Sequence, residues 1–297
     1  FHFLNIRQQQ ILGCYNLVRI HIIVELKYST HNQPPCINSH FNKNTIKQAK
    51  NPWRFQKGRC KMKKTDPAGS AVLLFVLTEC ILYVFFLMLD LTSSSALLST
   101  ILKYCSILLC FFFGFIFGKT KDRILVICAL GLTAAADAFL LVLDTNYTAG
   151  VLCFCGVQML YYCRLLRAGG FAFLSFLPIR FLLTGCMFVF LGILHIWNLL
   201  TAAGVFYFTQ LLFNAAESLA LRHISLPYRL FSAGLILFLC CDLCVGLSNL
   251  PSAAPFSVPE PVLSFAQNGM WLFYLPSQVL ITLSILPDYS SCTSESS

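Results

Sequence analysis

The sequence has 297 residues, of which 57% are hydrophobic and only 11% are charged. Soluble domains carry about 25% charged residues, so this composition excludes an ordinary soluble protein and makes the lipid bilayer the main solvent of the chain. The net charge of +9 comes from one region, because residues 1–61 hold ten Lys or Arg and one acidic residue, whereas residues 62–297 hold eleven of each sign. The hydrophobic body is therefore neutral, which excludes a basic nucleic-acid-binding domain there.

Residues 1–61 form a polar, basic segment that is rich in Asn, Gln, Lys and His and shows no sustained hydrophobic period. Such a composition predicts disorder. The first methionine is Met62, which precedes two lysines and a long apolar run, as is typical of the start of a bacterial membrane protein. Two interpretations are open: the segment lies outside the native protein, or it is a basic cytoplasmic tail that contacts anionic lipid.

From Met62 onward, apolar runs of about 20 residues follow one another, each long enough to cross a hydrocarbon core of roughly 30 Å as a helix. Lipid offers no partner to open backbone groups, so helices are expected. The sequence predicts an all-α fold, a polytopic transmembrane helical bundle of about eight spans in residues 62–297. The predicted spans are 71–91, 97–117, 124–143, 148–166, 171–194, 197–219, 229–249 and 261–286.

Lys and Arg occur in alternate connections between these spans. They gather on the cytoplasmic side of membrane proteins, so the pattern predicts that both ends of the membrane domain are cytoplasmic and that the protein lies in a bacterial cytoplasmic membrane. The opposite connections, 92–95, 144–147, 195–198 and 251–261, contain neither residue. The basic residues of the first set are Lys63, Lys64, Lys119, Lys121, Arg123, Arg164, Arg167, Arg222 and Arg229.

The fifteen cysteines lie mostly inside apolar runs, where a cysteine acts as a small hydrophobic residue. A disulfide framework is not indicated. Cys240, Cys241 and Cys244 have no nearby histidine, and His195 and His223 stand at span ends far apart. These patterns fit no zinc site, so neither a metal nor a cofactor is predicted.

Ionisable residues inside the spans are the strongest functional signal, because a charge near the bilayer centre costs several kcal/mol. Six qualify: Glu79, Lys103, Asp137, Arg180, Glu217 and Asp242. Counting residues at 1.5 Å each puts Asp137, Asp242 and Lys103 in one layer, about 20 Å from the cytoplasmic boundary. Glu79 and Arg180 fall about 14–15 Å from it, where they can pair, and Glu217 is close enough to the boundary for Arg222 or water to satisfy it.

Asp137, Asp242 and Lys103 have two readings. They form either a buried ion cluster that orders helix packing or a polar active site in the outer half of the bundle. Two nearby carboxyls in a medium of low dielectric resist ionising together, so one would act as an acid and the other as a base, with Lys103 helping the second stay ionised. Which aspartate takes which role stays open.

Several polar residues of the spans can line a cavity around these charges, although a hydrogen bond to a neighbouring helix is the commoner explanation for any one of them. They are Gln158, Tyr161, Tyr162, Tyr207, Asn214, Tyr274 and Gln278. A proton-coupled transporter would also place acids and a lysine in a bundle, but it should show matching interrupted spans in two halves. Pro178 and Pro276 interrupt spans in unlike surroundings. A non-catalytic membrane protein is the third alternative.

Five short elements stand in order across the spans: Lys103-Tyr104, Ala136-Asp137 with Leu140, Gln158 with Tyr161, Cys241-Asp242, and Tyr274 with Gln278. Their order and spacing resemble the YhhN family of lysoplasmalogenase-like membrane proteins over about Leu97 to Leu286. Four neighbours depart from the family's pattern: Tyr104 stands for Pro, Ala136 for Gly, Gln158 for His and Cys241 for Ser.

The resemblance implies a membrane hydrolase that cleaves the vinyl ether bond of a lysophospholipid, releasing a fatty aldehyde and a glycerophospho-headgroup. It implies that Asp137 and Asp242 are catalytic and that the bundle holds the alkyl chain. The supporting or substrate-binding residues that it implies are Lys103, Gln158, Tyr161, Tyr274 and Gln278. The expected partners are the lysophospholipid substrate and membrane lipids, with no nucleic acid, and the oligomeric state is left open.

Overall fold

A computed structural model describes residues 67–92, 94–253 and 258–286. The basic segment 1–61, predicted to be disordered, lies outside the described residues. Within the described ranges the chain forms helices and no strand, which confirms the predicted all-α fold.

Eight helices of at least 15 residues follow one another along the described chain, one for each predicted span. They are α1 (Pro67–Thr92), α2 (Ala96–Phe117), α3 (Arg123–Asp137), α4 (Tyr147–Gly169), α5 (Leu177–Ile193), α6 (Leu199–Leu221), α7 (Leu226–Ala253) and α8 (Glu260–Leu283). Helix α3 continues as a π-helical turn, Ala138–Val142, and α5 is preceded by a single helical turn, Phe171–Leu174. The fifth predicted span is thus divided in two.

Six of the described helices, α1, α2, α3 together with its π-helical turn, α4, α6 and α7, are long and apolar enough to cross a membrane. Helix α5 is apolar but has only 17 residues. Helix α8 has 24 residues and carries polar side chains such as Gln267, Asn268 and Gln278 along its length. Its contact with α7 is the most extensive between any two of the described helices. Gln278 is buried, whereas Gln267 and Asn268 are exposed, and Nδ2 of Asn268 donates to the Ser264 carbonyl of the same helix at 2.7 Å.

The core of the bundle is aromatic. Tyr161, Phe231 and Phe238 are fully or almost fully buried at its centre, and the ring of Tyr161 meets that of Phe231 edge-on at 5.4 Å between centroids. The outward faces of α1 and α5 are also apolar. Because lipid tails are as apolar as the core, hydrophobicity alone does not drive these helices together, and close packing and polar contacts must do so.

Helix α8 contains Pro276, which has no backbone N–H and therefore leaves the carbonyl of Leu272 without its helical donor. The hydroxyl of Tyr83 in α1 donates a hydrogen bond to that carbonyl at 3.1 Å. A proline-induced gap in one helix is thus closed by a side chain from another, and α1 is tied to α8.

Gly234 allows α7 and α8 to approach closely. A Cβ atom at this position would lie 2.7 Å from Cγ1 of Ile281 and 3.0 Å from the carbonyl oxygen of Ser277. Small residues permit such backbone contact in membrane bundles. The tight pairing of α7 with α8 brings Asp242 and Tyr274 into the same region of the bundle.

One end of the bundle carries the basic connections and is called the basic end; it is marked by Lys119, Arg164 and the end of α8. The backbone N–H of Lys119 donates to the carbonyl of Ile285 at 2.9 Å, so the α2–α3 connection and the end of α8 meet there. Short connections make neighbouring helices antiparallel, so the α6–α7 connection also lies at this end.

Arg164 was predicted to be a basic residue of a connection, but its side chain is fully buried at the basic end. Its Nε donates to the carboxylate of Asp122. Nη1 donates to the Ser284 hydroxyl at 2.6 Å and Nη2 to the Ser284 carbonyl at 3.0 Å, while the guanidinium lies 4.3 Å from the ring centroid of Phe231. Arg164 therefore joins the α2–α3 connection, α4, α7 and the end of α8.

Replacing Arg164 by Gln is expected to lower the free energy of unfolding by about 1–3 kcal/mol, because it leaves the buried Asp122 carboxylate and the Ser284 carbonyl without their donor. Thermal or denaturant unfolding in a mild detergent measures the change. Arg167→Gln is the matched control, since Arg167 is exposed three residues further along the same helix. Equal stability of the two variants would contradict a tying role for Arg164.

Candidate active site within the membrane

Asp137 stands where α3 changes from α-helical to π-helical winding. Its side chain is buried, and its Oδ2 accepts a hydrogen bond of 2.7 Å from the hydroxyl of Tyr274 in α8. π-helical turns inside α-helices are frequent at functional sites, because the extra residue rotates a side chain away from the regular face. Asp137 is thus directed inward, toward α8.

Asp242 lies midway along α7. Its Oδ2 atom is buried and has no hydrogen-bond partner in the part of the chain that the structure describes. The hydroxyl of Tyr207 in α6 lies beside its carboxyl and interacts with it. Each predicted catalytic carboxyl is therefore accompanied by a tyrosine from a different helix.

The two aspartate–tyrosine pairs share neighbours. The ring of Phe238 lies 5.6 Å from that of Tyr274 and 6.4 Å from that of Tyr207, measured between centroids. The thiol of Cys241 interacts electrostatically with both Asp137 and Asp242. The structure therefore brings the two carboxyls to the same region of the bundle, as the depth count predicted.

Neither aspartate takes part in an ion pair with the described basic residues. Without a cationic partner, two neighbouring carboxyls in a medium of low dielectric resist ionising together, so they are expected to hold one proton between them. Aromatic and thiol neighbours keep the region around both carboxyls weakly polar. This environment suits a group that holds a proton and delivers it to a substrate.

Lys103 does not neutralise either of these aspartates, contrary to the sequence-based expectation. Its Nζ lies 2.8 Å from Oδ2 of Asp90, a residue near the end of α1, and the Ser99 hydroxyl donates to the same carboxylate. The ammonium also lies 4.8 Å from the ring centroid of Trp271, and Trp271 meets Tyr274 edge-on at 5.3 Å. The rings of Trp271 and Tyr274 thus connect Lys103 to Asp137, with no direct ion pair between the two among the described residues.

Arg180 lies at the centre of a second polar cluster between α4, α5 and α6. Its described hydrogen bonds and ion pair involve neither Asp137 nor Asp242. It pairs with Glu217 through two contacts, of 3.1 Å from Nε and 2.7 Å from Nη2. Nη1 donates to Gln210 at 2.9 Å and Nη2 to Asn214 at 3.0 Å. The pairing suggested for Arg180 with Glu79 is therefore wrong, as is that of Glu217 with Arg222.

Gln158, a predicted substrate-binding residue, belongs to this second cluster. Nδ2 of Asn214 donates to its backbone carbonyl at 2.9 Å and to its side-chain Oε1 at 3.0 Å. Gln158 thus joins α4 to α6 through the same asparagine that receives a bond from Arg180. Its contacts are those of a helix-packing residue.

Three further polar residues of the spans are buried: Glu79 of α1, Tyr161 of α4 and Gln278 of α8. Oε1 of Glu79 accepts from the Cys110 thiol at 3.5 Å, and Nε2 of Gln278 donates to the Ser277 hydroxyl at 3.4 Å. In the described part of the bundle, Oε2 of Glu79, the Tyr161 hydroxyl and Oε1 of Gln278 have no hydrogen-bond partner. These atoms keep donor or acceptor capacity for a polar ligand.

The cysteine and histidine residues form no candidate metal centre: within the three described ranges, no group of three or more His, Cys, Asp or Glu side chains is arranged to hold a metal ion.

Sequence reasoning missed Asp90 and Trp271 as neighbours of Lys103. Asp90 precedes the end of α1 by two residues and Lys103 follows the start of α2 by seven, so the short connection between the helices brings them to similar heights. A long lysine side chain reaches along its helix toward the membrane surface. The proximity of an acid and a lysine across a tight helical hairpin was the signal that could have found the pair.

Comparison with known proteins gives one result. A model of the YhhN family matches residues 98–285, from the first turn of α2 to just beyond the end of α8. Neither a curated protein nor a solved structure matches the chain. The matched range contains Asp137, Asp242 and Lys103, and α1 lies before it.

Proposed function

Because the chain belongs to the YhhN family, we propose that it is an integral membrane hydrolase that cleaves the vinyl ether bond of a lysophospholipid. The family match covers every helix that carries a candidate catalytic residue. The proposal includes a bacterial cytoplasmic membrane as the location, with the basic end facing the cytoplasm, since basic connections gather on that side.

One observation carries the proposal: Asp137, which is buried, and Asp242, which is half-buried with a buried Oδ2 atom, both interact with the Cys241 thiol, and neither has a described cationic partner. A charge at this depth is costly, so a carboxyl retained without a counter-ion is well suited to proton transfer. The acid and base of a hydrolysis need this combination of proton-holding groups and exclusion of bulk water.

The reaction begins with proton transfer from the protonated carboxyl to the vinyl carbon that does not bear the ether oxygen. The double-bond electrons form the new C–H bond, and the carbon next to oxygen becomes an oxocarbenium ion that the ionised carboxylate stabilises. Water then adds to that carbon and gives a proton to the carboxylate. The resulting hemiacetal collapses to the fatty aldehyde and the free glycerol hydroxyl, with no net oxidation.

Tyr274 and Tyr207 support the two carboxyls in this scheme. Tyr274 donates a hydrogen bond to Asp137, and Tyr207 lies beside Asp242. A phenol that donates to a carboxylate stabilises its ionised form without adding a charge. Either tyrosine can therefore hold its aspartate in the ionised form that receives a proton from water. The aspartate that gains this proton is the acid of the next turnover, so the roles of acid and base alternate between the two aspartates.

The purified protein, reconstituted in phospholipid vesicles, is expected to release fatty aldehyde from a 1-alkenyl lysophospholipid but not from the matched 1-alkyl compound. The saturated ether has no double bond to protonate, so it is the chemical control. In deuterium oxide, the aldehyde should carry one deuterium on the carbon next to its carbonyl, provided that it is trapped by reduction as it forms. An aldehyde without that deuterium, or no release from the alkenyl compound, would overturn the proposal.

A further inference from the structure

A crevice opens between the end of α6 and the start of α7 at the basic end of the bundle. Its volume is about 510 Å³. Three of its residues come from the end of α6 and the following connection, and four come from the first turns of α7. The lining residues are Leu219, Arg222, His223, Arg229, Ser232, Ala233 and Ile236.

The positive charge of this crevice is not compensated. Arg222 and Arg229 are exposed and form no ion pair with the described acidic residues, and no carboxylate lines the crevice. Glu217, the acidic residue of α6, is already paired with Arg180. Nε of Arg222 donates to Nε2 of His223 at 3.2 Å, which holds these two side chains together.

Three of the other lining residues, Leu219, Ala233 and Ile236, are apolar. Leu219 is 39% and Ile236 36% exposed, so this apolar wall is open to the surroundings. A free inorganic anion would gain nothing from such a wall. A phospholipid presents both an anionic phosphate and, immediately beside it, apolar glycerol and acyl atoms.

We propose that this crevice binds the headgroup of an anionic phospholipid from the adjacent leaflet. The phosphate would lie between Arg222 and Arg229, because guanidinium groups match phosphate oxygens with paired hydrogen bonds. The Ser232 hydroxyl, which accepts a 3.1 Å hydrogen bond from the Ser218 hydroxyl, adds a polar group to the lining of the site. Basic pockets between transmembrane helices bind anionic headgroups in this way.

This lipid is distinct from the proposed substrate. Arg229 and Asp242 lie on the same helix, and the thirteen residues between their positions span about 20 Å. Only the few bonds of a glycerol unit separate the phosphate of a lysophospholipid from its vinyl ether. One molecule therefore cannot place its phosphate in the crevice and its ether at Asp242.

Binding is tested with the protein in detergent micelles, by native mass spectrometry against phosphatidylglycerol and phosphatidylcholine. The wild type is expected to retain phosphatidylglycerol in preference to phosphatidylcholine. Arg222→Gln with Arg229→Gln should weaken phosphatidylglycerol binding about 30-fold, from the free energy that each basic residue contributes near anionic lipid. Arg222→Lys with Arg229→Lys keeps the charge and should weaken binding less. This variant also provides a test if the glutamine variant fails to fold.

Lys119→Gln with Lys121→Gln is the matched control, because it removes the same charge from another connection of the basic end. This variant should bind phosphatidylglycerol as the wild type does. Equal losses in the control and in the arginine variant would overturn the proposal in favour of non-specific attraction. Displacement of the lipid by millimolar inorganic phosphate would overturn it in favour of a simple anion site.

Discussion

Asp137→Asn and Asp242→Asn are each expected to slow aldehyde release from a 1-alkenyl lysophospholipid by at least about 100-fold, the lower range for loss of a general acid or base. An amide neither delivers nor accepts a proton at neutral pH, but it has the size of the carboxyl it replaces. Tyr274 can still donate to the amide oxygen at position 137, so the fold should be preserved. Turnover is measured with saturating substrate in vesicles.

The double variant distinguishes a joint role from two separate ones. If the carboxyls act as one acid–base unit, the loss in the double variant should be close to that in either single variant. Asp144→Asn is the matched control, because Asp144 lies seven residues after Asp137 in the exposed α3–α4 connection and contacts only Tyr147 among the described hydrogen bonds. Full turnover in both single variants would refute the catalytic assignment.

Arg180→Met is expected to lower the free energy of unfolding by about 3–5 kcal/mol, the cost of leaving a buried charge without its partner. Arg180 is 1% exposed and links α5 to α6, since it contacts Glu217, Gln210 and Asn214. Most large apolar side chains of α5 face outward. Lipid solvates that face as well as protein would, so the polar cluster decides whether α5 stays docked.

The double variant Arg180→Met with Glu217→Leu should recover most of this loss, because replacing both members of a buried ion pair by apolar residues is often neutral or stabilising. Unfolding in mixed micelles of mild and denaturing detergent measures both changes. Lys121→Met, which removes an exposed charge from a connection, is the control and should have little effect. A double variant that is less stable than Arg180→Met would show that the arginine is not held by its charge partner.

Helix α1 lies outside the range that the family model matches, yet it contributes to the region of the candidate site. Asp90 pairs with Lys103, and Tyr83 closes the backbone gap made by Pro276, two residues from Tyr274. The first helix therefore supports residues of the matched range without carrying a catalytic candidate. The family match alone would not have indicated this support.

The order and approximate extent of the helices were determined by the sequence, apart from the division of the fifth span, because a bilayer requires about 20 apolar residues for each crossing and connections must be polar. The distance of each ionisable residue from the end of its helix also followed from the sequence, since the rise per residue is constant. That is why Asp137 and Asp242 were expected in one region, and Cys241 interacts with both of them.

Only the tertiary structure decided which buried charges are partners. Arg180 pairs with Glu217 and Lys103 with Asp90, although residue counting suggested other neighbours. In a membrane protein the outward and inward faces of a helix are both apolar, so the sequence carries little information about rotation around the helix axis or about which helices touch. The partners of a buried charge depend on how each helix is rotated about its axis and on which helices are neighbours. Both are decided by the packing of the helices in the tertiary structure.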